Sequence, residues 1–236
     1  MALYDRTTIH DAGQISSFTS RVYGWMTAGL GLTATVAYML WKSGVYMTLM
    51  PFWWLWAFGT LGIAMAINFS INRISIGGMI GLFLAYAGLE GLLFGTMLPL
   101  FAAAYGGQVI WTAFATGAAI FALATGYGMF TKADLTSLGK ILSLGLIGLI
   151  GVSFLFMIAS FFVHLSWAHL LISYLGLVIF VGLTAYDSQT IRSMAIQAGS
   201  DSTASYKLSL IMALKMYINV IMIFWYLLQI FSRSRR

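Results

Sequence analysis

Runs of about 20 apolar residues recur along residues 22–231, each long enough, at about 1.5 Å of rise per residue, to cross a hydrocarbon core of about 30 Å as a helix. In a bilayer the backbone has no water to pair with, so a chain built from such runs folds as packed helices. Charge points the same way. Only 8% of the residues are charged and 61% are hydrophobic, whereas a soluble domain carries about 25% charged residues. The chain reads as an all-α polytopic membrane protein, its solvent the lipid bilayer.

Seven spans are expected, at about 22–41, 51–73, 76–98, 109–130, 141–163, 168–187 and 208–231. Pro51 suits the first turn of the second span, PFWWLW beside it reads as an interfacial aromatic belt, and the third span is expected to stop before Pro99. A polar N-terminal tail over 1–21 and a basic C-terminal tail over 232–236 flank one transmembrane domain at 22–231. The 25 glycines, including the run GLIGLIG at 145–151, predict close helix packing, because small residues let backbones approach. An odd number of spans puts the termini on opposite sides. Arg6, Arg21, Arg73, Lys132, Lys140, Arg192 and Lys207 fall on one side, and Lys42, Arg233, Arg235 and Arg236 on the other. The short loops therefore favour a cytoplasmic N-terminus, while the terminal arginines argue against it.

Several chemistries are excluded or disfavoured. Without cysteine there is no disulfide, thiolate catalysis or cysteine-ligated metal. The first residues, MALYDRTTIHDAGQ, have neither the basic start nor the short apolar core of a removable signal peptide. Basic residues stand singly at the ends of apolar runs, so the net charge of +6 implies no nucleic-acid partner. His10, His164 and His169 do not make a metal site by spacing, and no cofactor is expected. Ser160 and His164 stand four apart, but no carboxylate on that side orients the imidazole for hydrolysis. Glu90 and Asp187 do not match in depth as an aspartyl protease pair would. The chain is therefore read as no enzyme. The glycines of GTMLPLFAAAYGGQ lack the lysine and the preceding strand of a phosphate loop.

What remains are ionisable groups inside apolar runs, where a charge costs about 2.5 to 3.5 kcal/mol on insertion scales and therefore marks a partnered or functional site. Glu90 falls near the middle of the third span, Asp187 at the end of the sixth and Lys215 in the seventh. Glu90 is either a neutral acid hydrogen-bonded to a neighbour or part of an ion or proton path. Lys215 and Asn219 are four apart and share a helix face. An Asp187–Lys215 ion pair is within reach; the alternative has Lys215 snorkelling to the interface and Asp187 capping the polar loop after the sixth span.

The stretch GLTAYDSQTI at 182–191 resembles the sixth-helix signature of the Bax inhibitor family. LAYAGLEG at 84–91 is similar to its third helix, ALKMYINVIMIFWYLLQIF at 213–231 to its last, and the polar tail before the first span to its layout. Together these cover nearly the whole chain. The resemblance implies six helices around a central seventh and, by analogy with bacterial members, a pH-sensitive calcium leak through the inner membrane. It equates Asp187 with the family's sixth-helix aspartate. Asn219 stands where the family carries a second aspartate, and Met222 where it commonly carries asparagine. Two carboxylates in contact share a proton and so sense pH; an aspartate–asparagine pair is expected to sense it weakly or not at all. Asp187, Asn219, Glu90 and Lys215 are thus the candidate ion-path or gate residues, with Arg73, Tyr186, Gln189 and Tyr217 as candidate closing or positioning residues. Two readings follow: a protein permeable to calcium or another cation, or regulating ion homeostasis, and a nonconducting scaffold that binds another membrane protein or a protease. A retinal protein, suggested by Lys215, is disfavoured because Ile211 stands where a microbial rhodopsin carries aspartate.

Overall fold

A computed structural model describes residues 2–69, 73–159, 166–197 and 203–233, with the side chains of 2–15, 68–69, 157, 166 and 197 outside that set. Asn72, Ser160, His164, Arg235 and Arg236, the side chain of His10 and the loop centre at 198–202 lie outside the described residues. The elements are α1 (Ala2–Ser43), α2 (Tyr46–Leu49), a 3-10 turn at Met50–Phe52, α3 (Trp53–Phe69), α4 (Ile76–Tyr105), α5 (Gly107–Phe130), α6 (Thr136–Ala159), α7 (Ser166–Gln197) and α8 (Thr203–Arg233). Among the described residues, six helical segments are long and apolar enough to span a membrane, starting at Tyr46, Ile76, Gly107, Thr136, Trp167 and Thr203. With α1, which is long but less apolar, they make the seven long helices of a polytopic all-α membrane protein. Half of the α8 window is buried, against 11% in the Tyr46–Ile67 and Thr136–Phe156 spans.

The helices outrun their apolar stretches. α1 starts at Ala2, not near residue 22, and over 42 residues reaches about 63 Å. Its polar part continues the helix because Phe18, Val22 and Met26, four apart, are all buried and form one packing face. Likewise α7 runs ten residues past Asp187, held by buried Ile191 and Ala195. The expectation that Asp187 ends the sixth span and caps a long loop is therefore corrected: Asp187 lies well inside α7, and most of that loop is helix. α4 passes through Pro99 to Tyr105 instead of stopping before it. A buried transmembrane helix tolerates the missing N–H because its neighbours satisfy the freed groups. Pro51 sits inside the 3-10 turn, where its lost i→i−4 bond matters least. Gly106, at φ 85, alone joins α4 to α5; that left-handed conformation strains any side chain.

The contacts fall into two compact units. One comprises residues 1–104 and 191–217, the other 105–190 and 218–236, so α7 and α8 contribute to both. In the first unit α1 meets α4 at Gly91 and Gly95. A Cβ on Gly91 would come within 2.6 Å of Val36, and one on Gly95 within 2.8 Å of Leu40. Small residues one turn apart thus set that crossing. In the second unit Gly128 of α5 abuts the Ala185 carbonyl of α7, and a Cβ on Gly139 of α6 would lie 2.5 Å from the Tyr186 ring. The glycine run on α6 behaves differently from expectation. Gly145 lies in ordinary contact with Ile179, but a Cβ on Gly148 or Gly151 would meet nothing within 4 Å among the described residues. The neighbouring Ile147 and Ile150 are more than 60% exposed, a surface that suits lipid tails.

Candidate functional site

Of the six acidic residues, the described side chains bury two, Glu90 and Asp187. They belong to different units and are held in different ways.

Asp187 sits on α7, 5% exposed, and its Oδ2 accepts a hydrogen bond from Asn219 Nδ2 of α8 at 2.8 Å; Asn219 is itself 3% exposed. An amide donor has a permanent N–H, so it serves a carboxylate without supplying a titratable proton. An aspartate at position 219 would donate only when protonated. The bond also crosses between helices, whereas most hydroxyls nearby fold back on their own helix: Thr184 on Phe180 O, Ser188 on Thr184 O and Thr190 on Tyr186 O. Tyr186 and Gln189, either side of Asp187, face the end of α5 and the start of α6. The Tyr186 ring covers Gly139. Gln189 uses both ends of its amide on the α5–α6 connection, Nε2 donating to Ala133 O at 2.7 Å and Oε1 accepting from Leu135 N at 2.9 Å.

Glu90 sits on α4, 7% exposed, and accepts from Tyr86 Oη at 3.2 Å. The donor is one turn earlier on the same helix, the i, i+4 relation of neighbours on one face. Around it lies an aromatic and hydroxyl cluster. The Tyr217 ring, fully buried, packs edge-on against Tyr86 and Phe83 with centroids 5.5 and 6.0 Å away. The Tyr217 hydroxyl meets Thr33 Oγ1 at 2.6 Å, and Thr33 reaches Ala87 O at 2.9 Å and Gly29 O at 3.0 Å. A hydroxyl has one hydrogen, and Thr33 commits it to carbonyls, so Tyr217 is the donor to Thr33. Thr33 therefore joins α1, α4 and α8 beside Glu90.

Lys215 is exposed on α8. Arg73 is exposed in the turn before α4. His169 on α7 lies edge-on to Phe156 at 4.5 Å, and among the described residues no three His, Asp or Glu side chains converge. Outside the spans, Asp134 Oδ1 accepts from Thr136 N at 2.9 Å. The Thr136 hydroxyl first, and its backbone N–H second, hold the carboxyl below the usual range.

Sequence reasoning missed Tyr86 and Thr33. Tyr86 is visible in retrospect, four residues before Glu90 in a span with few polar groups. Thr33 carries no such mark. Its role depends on the crossing at Gly91, which no local pattern reveals.

Comparison with known proteins bears on the family. A family model described as "Inhibitor of apoptosis-promoting Bax1" matches residues 15–236. The chain is 53% identical over 234 residues to an uncharacterised protein of Chlamydia muridarum, covering 99% of this chain and 98% of that one. It is 33% identical over 229 residues to the inner membrane protein YbhL of Escherichia coli K12, covering 94% and 93% of the two chains. A third relative, from Deinococcus radiodurans, is 34% identical over 218 residues, or 92% and 90% of the chains.

Proposed function

The chain belongs to the Bax inhibitor family of membrane proteins, and on that premise we propose that it is a nonenzymatic cation leak, for calcium or a similar ion, whose closed state depends on the Asp187–Asn219 bond. One observation carries the reading: a buried carboxylate, one of two among the described side chains, is tied across two helices by a neutral amide. Such a bond holds two rigid elements together and leaves a cation-attracting charge behind when it opens. Glu90 is a second acidic station, supported by its burial and by its bond to Tyr86 alone among the described contacts. The relative YbhL is named as an inner membrane protein, and an inner-membrane location with a cytoplasmic N-terminus is the matching proposal here.

Asn219 also favours a second reading. Because an amide needs no shared proton to stay bonded, the pair lacks the pH response of two carboxylates, and a closed, nonconducting protein that binds another membrane protein would look the same. Purified protein in liposomes with calcium, potassium and proton indicators separates the two. Flux of any of the three ions, rising when Asp187 is replaced by Ala, supports the leak; no flux in wild type or in Asp187→Ala supports the scaffold.

A further inference from the structure

The back of α7 is gripped at three consecutive places. Gly128 of α5 lets that helix come against Ala185 and Ser188. Gln189 then clamps the α5–α6 connection through Ala133 and Leu135, and Gly139 seats the Tyr186 ring at the start of α6. The connection is itself stiff: Ala133 N donates to Thr131 Oγ1 at 3.2 Å, Thr136 N to Asp134 Oδ1 at 2.9 Å, and the Leu135 side chain is 5% exposed. Residues two apart on a helix are about 200° apart around its axis. Gln189 therefore lies on the side of α7 away from Asp187, while Asp187 bonds to Asn219 of α8. A rotation of α7 large enough to break the Asp187–Asn219 bond also pulls the Gln189 amide off its two peptide partners.

We infer that Gln189 is a positioning residue which, through its paired hydrogen bonds to Ala133 and Leu135, couples the exposed α5–α6 connection to the Asp187–Asn219 bond. Lys132 and Asp134, both exposed on that connection, give it a charged outer surface through which a displacement is transmitted to the buried pair. As a device acting on the gate the inference rests on the leak proposed above. The coupling itself is a property of the second unit and is measured without any flux.

Coupling between two sites is reciprocal, and that defines the test. Amide hydrogen exchange at Leu135 is measured in detergent for wild type, Gln189→Met, Gln189→Glu and Asp187→Ala. Gln189→Met removes both hydrogen bonds, and Leu135 is expected to exchange roughly tenfold faster. Gln189→Glu keeps the acceptor for Leu135 and is expected to keep its protection, which a merely volumetric role would not distinguish from Met. Asp187→Ala touches no atom of the connection and is nevertheless expected to speed Leu135 exchange severalfold. The Gly78 amide, held by Ser75 Oγ at 3.2 Å in the other unit, is expected to exchange at its wild-type rate throughout. Leu135 exchange in Asp187→Ala equal to wild type overturns the coupling, whatever the flux; so does equal acceleration at Gly78, which marks general loosening. If Leu135 responds and neither Asp187→Ala nor Gln189→Met alters cation flux, the coupling stands and the leak is refuted.

Discussion

Glu90 and Asp187 are nearly equally buried, yet one is held from within its own helix and the other from across. The Glu90 donor, Tyr86, shares α4, so that bond survives any movement of α4 as a rigid body. The Asp187 donor, Asn219, is on α8, so that bond exists only while two helices keep their relative positions. Burial alone does not make a carboxylate a gate. The number of rigid elements its hydrogen bonds connect decides whether breaking them moves anything.

The sharpest way to break the contrast is truncation. Asp187→Ala leaves the Asn219 amide buried without its acceptor, a loss of about 1 to 3 kcal/mol, read as a lower thermal midpoint in detergent. Asn219→Leu should fall in the same range, since it takes the amide donor away from the Asp187 carboxylate. Combining the two should cost less than the sum of the singles, because partners in one bond couple. Strict additivity would mean that the bond contributes nothing.

Next in size is Asn219→Asp. It places two carboxylates in contact, and the pair is stable only while they share a proton. Thermal stability of this variant should drop as pH rises from about 5 to 8 and the second proton leaves, a step that wild type lacks. A pH profile identical to wild type would contradict the view that the amide is what removes pH sensing.

Glu90→Gln should change stability by less than about 1 kcal/mol, because the glutamine carbonyl accepts from Tyr86 Oη much as the carboxyl does. A midpoint shift as large as that of Asp187→Ala would erase the distinction between the two acids. Flux through Glu90→Gln should nonetheless fall if Glu90 lies on the cation path.

Smallest is Asp134, fully exposed, with its carboxyl lowered by the bond to Thr136. A lowered carboxyl stabilises the folded chain above its unfolded-state value and loses that contribution as pH falls through the folded-state value. Wild type should therefore be slightly more stable than Asp134→Asn at neutral pH, and that margin should vanish as pH falls through the acid range.

Much of the fold was legible in the residue pattern, and the reasons are physical. A run such as GLLFGTML at 91–98 cannot be placed in water, so the number and order of spans follow from hydropathy. Helix ends are another matter. Phe18, Ile191 and Ala195 extend α1 and α7 beyond their apolar runs because they pack on other parts of the protein, and packing partners are invisible in a local window. Pro99 fails as a terminator for the same reason. At the site, Asp187, Asn219 and Glu90 stand out as polar groups in costly places, and the structure brings the first two to 2.8 Å. Tyr217 and Gln189 could be named, but their partners could not. Thr33, Ala133 and Leu135 contribute a common hydroxyl and backbone atoms, which become specific only once the helices are assembled.

Calcium flux into indicator-loaded liposomes at neutral pH, comparing wild type with Asp187→Ala in equal amounts of folded protein, tests the gate most directly. A slow leak in wild type that rises severalfold in Asp187→Ala is the predicted result. Equal flux in the two, whether measurable or absent, would contradict a closed state held by the Asp187–Asn219 bond.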